Sequence, residues 1–210
     1  MTVKQLSSVI TIEPKEASSL DSIAHTEHGA VMQLSSDKKS RAVARLIEAK
    51  DPQVVDKRLV SSLNSLTNNG IKEDSYVRYG HSGADIIIRG YHITCSSTED
   101  IDKCIEAVQC SLATPSTEQI ESQLEMLAAL VVKPSGETAK DLTHRINAIA
   151  RQLSNYPADI VLTAIEKVAK TSTFWPSFAE FEKHINWRIK KREMLLKALT
   201  SKKLALLNGK

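Results

Sequence analysis

Apolar residues recur at intervals of three and four along most of this 210-residue chain, which is the spacing of one face of an amphipathic helix. Short polar or Pro/Gly-containing segments separate the periodic stretches. The pattern predicts seven helices: one beginning at Ser36 or Asp37, one over 54–66, one following Ser97, and four over 117–132, 137–153, 157–170 and from Phe178 onward. We therefore expect a mainly α protein.

One region departs from this period and has the composition of β-strands. Asp85–Ile88 and Tyr91–Thr94 are rich in β-branched and aromatic residues, and Arg89-Gly90 separates them. Two such runs around a two-residue turn containing Gly predict a β-hairpin over 85–94. An isolated hairpin is marginally stable in water, so it should pack on the helix that follows. Residues 71–83 predict an irregular connector that ends in a turn.

The predicted elements divide the chain into three parts. Residues 1–35 are rich in Ser, Thr and charge without a sustained period, which favours a flexible arm, although Val9–Ile12 could form a short strand. Residues 36–114 predict a small N-terminal α+β unit that contains the hairpin. Residues 115–210 predict a C-terminal helical bundle with a basic last helix.

The stretch from Tyr156 to Ser177 holds two helix starts and the densest aromatic cluster. Pro157 suits the first turn of a helix, where its missing N–H costs no hydrogen bond. Ser177 and Glu180 have the spacing of a capping box, as do Ser116 and Gln119. We expect Phe174 and Trp175 to bury aromatic area between two helices, with Trp175 filling the bundle.

Composition limits the class of protein. Hydrophobic residues make up 41% and charged residues 25%, which is ordinary for a soluble globular chain. No apolar run is long enough for a membrane span, and the N-terminus lacks a secretory core, so we expect a cytoplasmic protein. The odd number of cysteines without a CxxC pair predicts reduced thiols, with Cys104 in the core. His25 and His28 lack further ligands at metal spacing, which favours a surface loop.

Positive charge is concentrated at the C-terminal end. Residues 183–210 contain nine Lys or Arg against the single acid Glu193, although the whole chain has a net charge of only +3. Such asymmetry indicates contact with DNA, single- or double-stranded, or with an acidic protein. A solvated helix end is the alternative. The candidate nucleic-acid-binding residues are Trp187, Arg188, Lys190, Lys191, Arg192, Lys197, Lys202 and Lys203. For Trp187, base stacking and burial remain equally open.

Motifs of catalysis do not occur. The chain has no Gly-x-Ser-x-Gly, no His-Glu-x-x-His, no Walker loop and no Gly-x-Gly-x-x-Gly. Asp141, His144 and Arg145 share one side of a helix, which more often forms a solvated face than acid–base machinery. We therefore expect no enzymatic activity, no cofactor and no metal.

The order helix, Tyr-Pro-Ala-Asp, helix, Thr-rich break, Phe-Trp-Pro-Ser, helix resembles a C-terminal pattern of uncharacterised bacteriophage and prophage proteins of alphaproteobacterial type. It is also distantly similar to phage helicase-loader proteins, over about residues 118–186. The resemblance implies an α-helical adaptor that binds a replicative helicase or another replication protein and helps to place it on DNA. Trp175 and the hairpin-bearing first half depart from the loader pattern. Phage structural or assembly proteins and DNA-binding regulators are the alternatives.

Overall fold

Seven helices and two strands make up most of the described residues, which are 34–80, 83–133 and 135–209 of a computed structural model. The helices are α1 Ser36–Ala49, α2 Pro52–Leu66, α3 Thr98–Ser111, α4 Thr117–Leu130, α5 Ala139–Leu153, α6 Ala158–Thr171 and α7 Phe178–Asn208. The strands are β1 Ile71–Gly80 and β2 Gly83–Ile93. The expectation of a mainly α protein with one hairpin and a helical C-terminal part is confirmed.

Side-chain caps explain where several helices begin. The Ser97 hydroxyl accepts a hydrogen bond from the backbone N–H of Asp100, which satisfies a donor that the first turn of α3 leaves free. Ser116 and Gln119 form a reciprocal capping box at α4. At α7 the Glu180 carboxylate accepts from the Ser177 backbone N–H, 2.7 Å away. The helix starts predicted at these three positions are therefore confirmed.

The hairpin differs from the prediction. Segment 71–80, predicted as an irregular connector, forms β1 and pairs antiparallel with β2. The predicted hairpin over 85–94 is wrong, because this segment as far as Ile93 belongs to a single strand. Asp74 pairs with Gly90 and Ser75 with Ile88, so Arg89 is an extra residue at a β-bulge. Because the bulge places Arg89 next to Gly90, this part of the strand has the sequence of a two-residue turn.

Three groups of buried side chains form the core. The first joins α4, α5, α6 and the N-terminal half of α7, and it includes Leu124, Ile149, Ile160, Phe181 and Ile185. The second joins α2, the base of the hairpin, α3 and the C-terminal half of α7, and it includes Leu63, Ile93, Cys104, Leu195 and Leu199. The third lies beneath α1 and includes Ala42, Val43, Leu46, Ala113 and Ala158. Cys104 is a core residue, as expected.

Because α7 contributes to both large groups, it connects the two halves of the fold. Leu34–Lys210 form one compact unit. The boundary predicted between residues 114 and 115 falls inside this unit. Independent folding of 115–210 stays a prediction.

The loop before α7 places its two aromatic residues differently. Trp175 packs against the first core group, in agreement with the predicted filling of the bundle. Phe174 is 66% exposed, so the expectation that it is buried is wrong. The backbone explains this arrangement, since residues 132 and 174 form an isolated parallel bridge in which the Val132 N–H donates to the Thr173 carbonyl, 2.8 Å away. At this bridge the Phe174 ring is exposed, whereas the neighbouring Trp175 ring packs on the core.

Some expectations fall outside the described residues. These are the predicted arm up to residue 33, with the short strand Val9–Ile12 and the histidines His25 and His28, and the turn residues 81 and 82. Within the described ranges, no helix is both long enough and apolar enough to cross a lipid bilayer.

Candidate nucleic-acid interface

Helix α7 carries all the residues that the sequence assigns to nucleic-acid binding. Its 31 residues span roughly 46 Å at 1.5 Å per residue. Phe181 and Ile185 enter the first core group, and Leu195 and Leu199 enter the second. The helical period therefore buries some of the intervening basic residues and exposes others.

Arg192 lies on the buried side of α7, with 1% of its surface exposed. Its Nε donates to Asp56 Oδ1 at 2.8 Å and its Nη1 donates to Asp159 Oδ1 at 3.0 Å. Nη1 and Nη2 also bond the Ser111 carbonyl and Asp159 Oδ2. Burial lowers the pKa of the guanidinium, but the two carboxylates more than offset this and raise it. The structure thus removes Arg192 from the predicted interface.

Arg188 is also buried, with 4% of its surface exposed. Its guanidinium carbon lies 4.5 Å from the centroid of the Trp187 ring, a cation–π distance. Its Nη1 atom is buried without a hydrogen-bond partner. Burial lowers the pKa of this guanidinium, and nearby carboxylates, with Asp56 the strongest, oppose the shift. Arg188 therefore supports the Trp187 ring instead of facing solvent.

Two of the predicted lysines are engaged by carboxylates. Lys191 Nζ lies 3.4 Å from Glu73 Oε1 on β1, and Lys203 Nζ lies 2.6 Å from Asp102 Oδ1 on α3. Lys202 is half-buried. The ion pairs of Lys191 and Lys203 join the C-terminal half of α7 to the hairpin and to α3. Partly exposed ion pairs of this kind contribute little stability.

The remaining candidates lie together on the solvent side of α7. Lys190 and Lys197 are exposed, and Trp187 exposes 56% of its surface. Lys183 is exposed one heptad before Lys190. We call Lys183, Trp187, Lys190 and Lys197 the lysine face. Seven residues separate successive lysines by about 10.5 Å along the helix and rotate them by only about 20°.

The charge of the lysine face is not neutralised by ion pairs. None of its three lysines forms a salt bridge within the described ranges, although the exposed Glu193 lies one turn from both Lys190 and Lys197. His184 adds no cation at neutral pH, because burial and then the charge of Lys167 lower the pKa of its imidazole. Glu180 likewise lies one turn before Lys183. With both glutamates counted, the face presents a net charge of about +1 beside an exposed indole ring.

Lys183 was missed by the reasoning from sequence. It lies in the first half of α7 and counts toward the positive charge of residues 183–210, but it precedes the basic run and is not among the residues predicted to bind nucleic acid. Its heptad spacing from Lys190 was the available signal, because a residue seven positions away occupies the same side of a helix.

The residues considered for catalysis or metal binding have other surroundings in the described part of the chain. The described residues contain no group of three or more His, Cys, Asp or Glu side chains that could hold a metal ion. Asp141 belongs to the capping box of α5, where hydrogen bonds from Thr138 lower the pKa of its carboxyl group. Arg145 pairs with Glu137 at 2.9 Å. Asp141 and Arg145 thus have structural partners of their own.

Comparison with protein-family models, with curated proteins and with solved structures finds no match for this chain. The resemblance to phage proteins therefore stays a prediction.

Proposed function

We propose that this chain is a non-enzymatic replication accessory protein of phage type. It acts in the cytoplasm, binds single-stranded DNA weakly through the lysine face of α7, and binds a replication protein such as a helicase through another surface. The order of elements over 118–186 supports the replication role. The lysine face supports the DNA-binding role, and it is the observation that carries the proposal.

An exposed tryptophan between lysines suits a single strand better than a duplex. Bases that are not paired can stack on an aromatic ring, and one such contact contributes about 1–3 kcal/mol. In a duplex the bases are already stacked, so Trp187 would have no such partner. The lysines attract phosphates whatever the sequence. Binding should therefore show little sequence preference and should favour single strands.

The number of lysines sets the strength of binding and its dependence on salt. Each phosphate neutralised on a single strand contributes about −0.7 to the slope of log K against log salt, so three contacts give a slope of roughly −2. This is a small slope, consistent with weak binding that a partner protein would supplement.

Tryptophan fluorescence tests this directly, because the chain contains only Trp175 and Trp187. In a Trp175→Phe background, titration with a 20-nucleotide oligothymidine at low salt should quench the emission of Trp187. The predicted slope of roughly −2 should appear when the titration is repeated at increasing salt. If no quenching and no retention on the oligonucleotide occur at low salt, DNA binding is excluded.

Charge reversal of the three lysines tests whether the lysine face is the surface that binds DNA. Lys183→Glu, Lys190→Glu and Lys197→Glu together should abolish binding. The matched control reverses Lys39, Lys133 and Lys140, which are exposed lysines on α1, after α4 and on α5. Since both variants change the net charge equally, equal loss of binding would mean that the lysine face is not the site. A sequence-specific footprint on duplex DNA would instead support a regulator.

The adaptor role needs its own measurement. The protein should co-elute with the replicative helicase of its host and should increase the loading of that helicase onto single-stranded DNA. Unchanged loading would restrict the function to DNA binding.

A further inference from the structure

A groove between α1, α2 and α3 combines an apolar floor with a cationic rim. Its volume is about 710 Å³. The floor is apolar and is formed by Ala42, Leu46, Val55, Leu59 and the half-buried Cys110. None of its lining residues belongs to α7.

The rim of the groove is cationic. Lys38, Arg41 and Arg45 follow one another at intervals of three and four along α1, and Arg58 lies opposite them on α2. All four side chains are exposed. Lys38 pairs with Glu106 at 2.6 Å. Of the acids that line the groove, this leaves only Glu48 against three arginines.

The arginines retain most of their hydrogen-bonding capacity. Arg41 Nε donates to the Asp37 carbonyl, a weak bond of 3.3 Å. Neither Arg45 nor Arg58 forms a hydrogen bond or an ion pair within the described ranges. A guanidinium presents five donors in a planar fork that matches a carboxylate. The rim is therefore well suited to ligand carboxylates.

Charged side chains of both signs act on the Cys110 thiol at the floor of the groove. Burial raises the pKa of this thiol, and Glu106 adds to the shift, whereas Lys38 and Arg45 oppose it. An occupant on the floor would therefore be within range of at least these two cations.

The lining residues argue against nucleic acid as the occupant. They include no Phe, Tyr or Trp, so the groove offers no aromatic ring on which a base could stack, in contrast to the lysine face. An apolar floor of aliphatic side chains instead fits the apolar side of a peptide. The segment of α1 from Lys38 to Ala49 is about 17 Å long, which matches roughly three turns of a helix.

We propose that this groove binds an acidic amphipathic segment of a protein partner. Leu, Ile or Phe side chains of this segment lie on the floor, and its Asp or Glu side chains bond Arg41, Arg45 and Arg58. This is the helix-in-groove mode of recognition.

An unbiased selection tests the proposal. A library of random 12-residue peptides is displayed and selected on the full-length protein, and each round is counter-selected on the bare support. The enriched peptides should be acidic and should carry apolar residues at helical spacing. No enrichment, or enrichment of neutral or basic peptides, would overturn the proposal.

A matched pair of variants measures the contribution of the rim. Fluorescence anisotropy of the best enriched peptide should show binding at least tenfold weaker to the Arg45→Glu, Arg58→Glu variant. The control reverses Lys39 and Lys57, exposed residues on the same two helices that do not line the groove. This control should bind within twofold of wild type. Equal weakening in both variants would indicate nonspecific attraction and would contradict the proposal.

The reactivity of Cys110, on the floor of the groove, can show whether the peptide binds there. In a Cys95→Ser background, Cys104 is fully buried and Cys110 is the more accessible of the two remaining thiols. Bound peptide should slow the reaction of Cys110 with a thiol reagent at least fivefold. An unchanged rate at saturating peptide would place the peptide elsewhere.

The DNA and peptide experiments fail independently, because the groove and the lysine face share no residue. If oligothymidine, and not the peptides, protects Cys110, the groove is a nucleic-acid site and the proposal is wrong.

Discussion

Asp159, the second residue of α6, accepts hydrogen bonds from two nitrogens of the Arg192 guanidinium in the middle of α7. Neither side chain is accessible, with 0% and 1% of the surface exposed. Asp159 also lies in the first turn of its helix, where the positive end of the helix dipole favours a carboxylate. Since Arg192 also bonds Asp56 on α2 and the Ser111 carbonyl at the end of α3, one guanidinium fixes α7 against three other helices.

Breaking this pair from one side should be strongly destabilising. Asp159→Ala leaves Arg192 buried with fewer partners, and such a loss costs about 3–5 kcal/mol. We expect that reduction in the free energy of unfolding in urea denaturation followed by circular dichroism. Arg192→Lys should also destabilise, because an ammonium group cannot form the paired bonds of a guanidinium.

Replacing both partners is the control for this interpretation. Asp159→Leu with Arg192→Leu removes both charges and should cost clearly less than the sum of the losses for Asp159→Leu alone and Arg192→Leu alone. Strictly additive losses would show that the two side chains do not interact energetically.

The neighbouring aromatic residues before α7 offer a second comparison. Trp175→Ala should lower the free energy of unfolding by about 3 kcal/mol, because the ring packs against the first core group. Phe174→Ala should change it by less than about 0.5 kcal/mol, as is usual for an exposed residue. Thermal melts of both variants measure the difference. Equal effects would contradict the opposite placement of the two rings.

The turn between α2 and β1 requires glycine for an unexpected reason. Asn68 and Asn69 adopt the left-handed conformation, with φ of 50° and 59°, whereas Gly70 does not. At Gly70 a Cβ would lie 2.8 Å from the Thr67 carbonyl oxygen and 3.2 Å from the Cys95 nitrogen. Backbone atoms cannot rotate away as a side chain can.

Gly70→Ala should therefore destabilise the protein by about 1–3 kcal/mol, the range for overpacking. Asn69→Gly is the matched change one position earlier. It should be neutral or stabilise by less than about 1 kcal/mol, because glycine adopts positive φ without strain. Urea midpoints of the two variants provide the test, and a neutral Gly70→Ala would refute the close-approach argument.

The sequence predicted features that depend on neighbouring residues. Ser116 with Gln119 and Ser177 with Glu180 could be recognised as helix starts because both partners lie within four positions. The strand β1 could not, because its polar run from Lys72 to Ser75 lacks β-branched residues and is defined by pairing with β2.

At the candidate site, too, the local sequence did not indicate which basic residues of α7 are buried. Composition alone groups Arg188 and Arg192 with Lys190 and Lys197, whereas the buried side of the helix separates them. Arg192 lies at heptad spacing from Ile185 and Leu199, which was a signal of burial. Its carboxylate partners, Asp56 and Asp159, are distant in sequence and no local pattern indicates them.

His184 makes stability depend on pH near neutrality. Burial, followed by the charges of Lys167, Arg188 and Lys183, lowers the pKa of its imidazole in the folded protein. In the unfolded chain the imidazole has its ordinary pKa of about 6.5. The unfolded chain therefore binds a proton at higher pH than the folded protein does. It follows that the stabilising contribution of neutral His184 is complete above pH 6.5 and is lost as the pH falls through the folded pKa.

We expect the urea midpoint of the wild type to decrease between pH 7.5 and pH 5.5. In His184→Gln this decrease should be smaller, because the variant has no imidazole at this position to protonate. His144→Gln, which changes a solvent-exposed histidine on α5, is the control and should keep the wild-type profile. Measurements above pH 5.5 avoid the titration of most carboxyl groups. An identical profile for His184→Gln and wild type would mean that the charge on this imidazole does not affect the folded state.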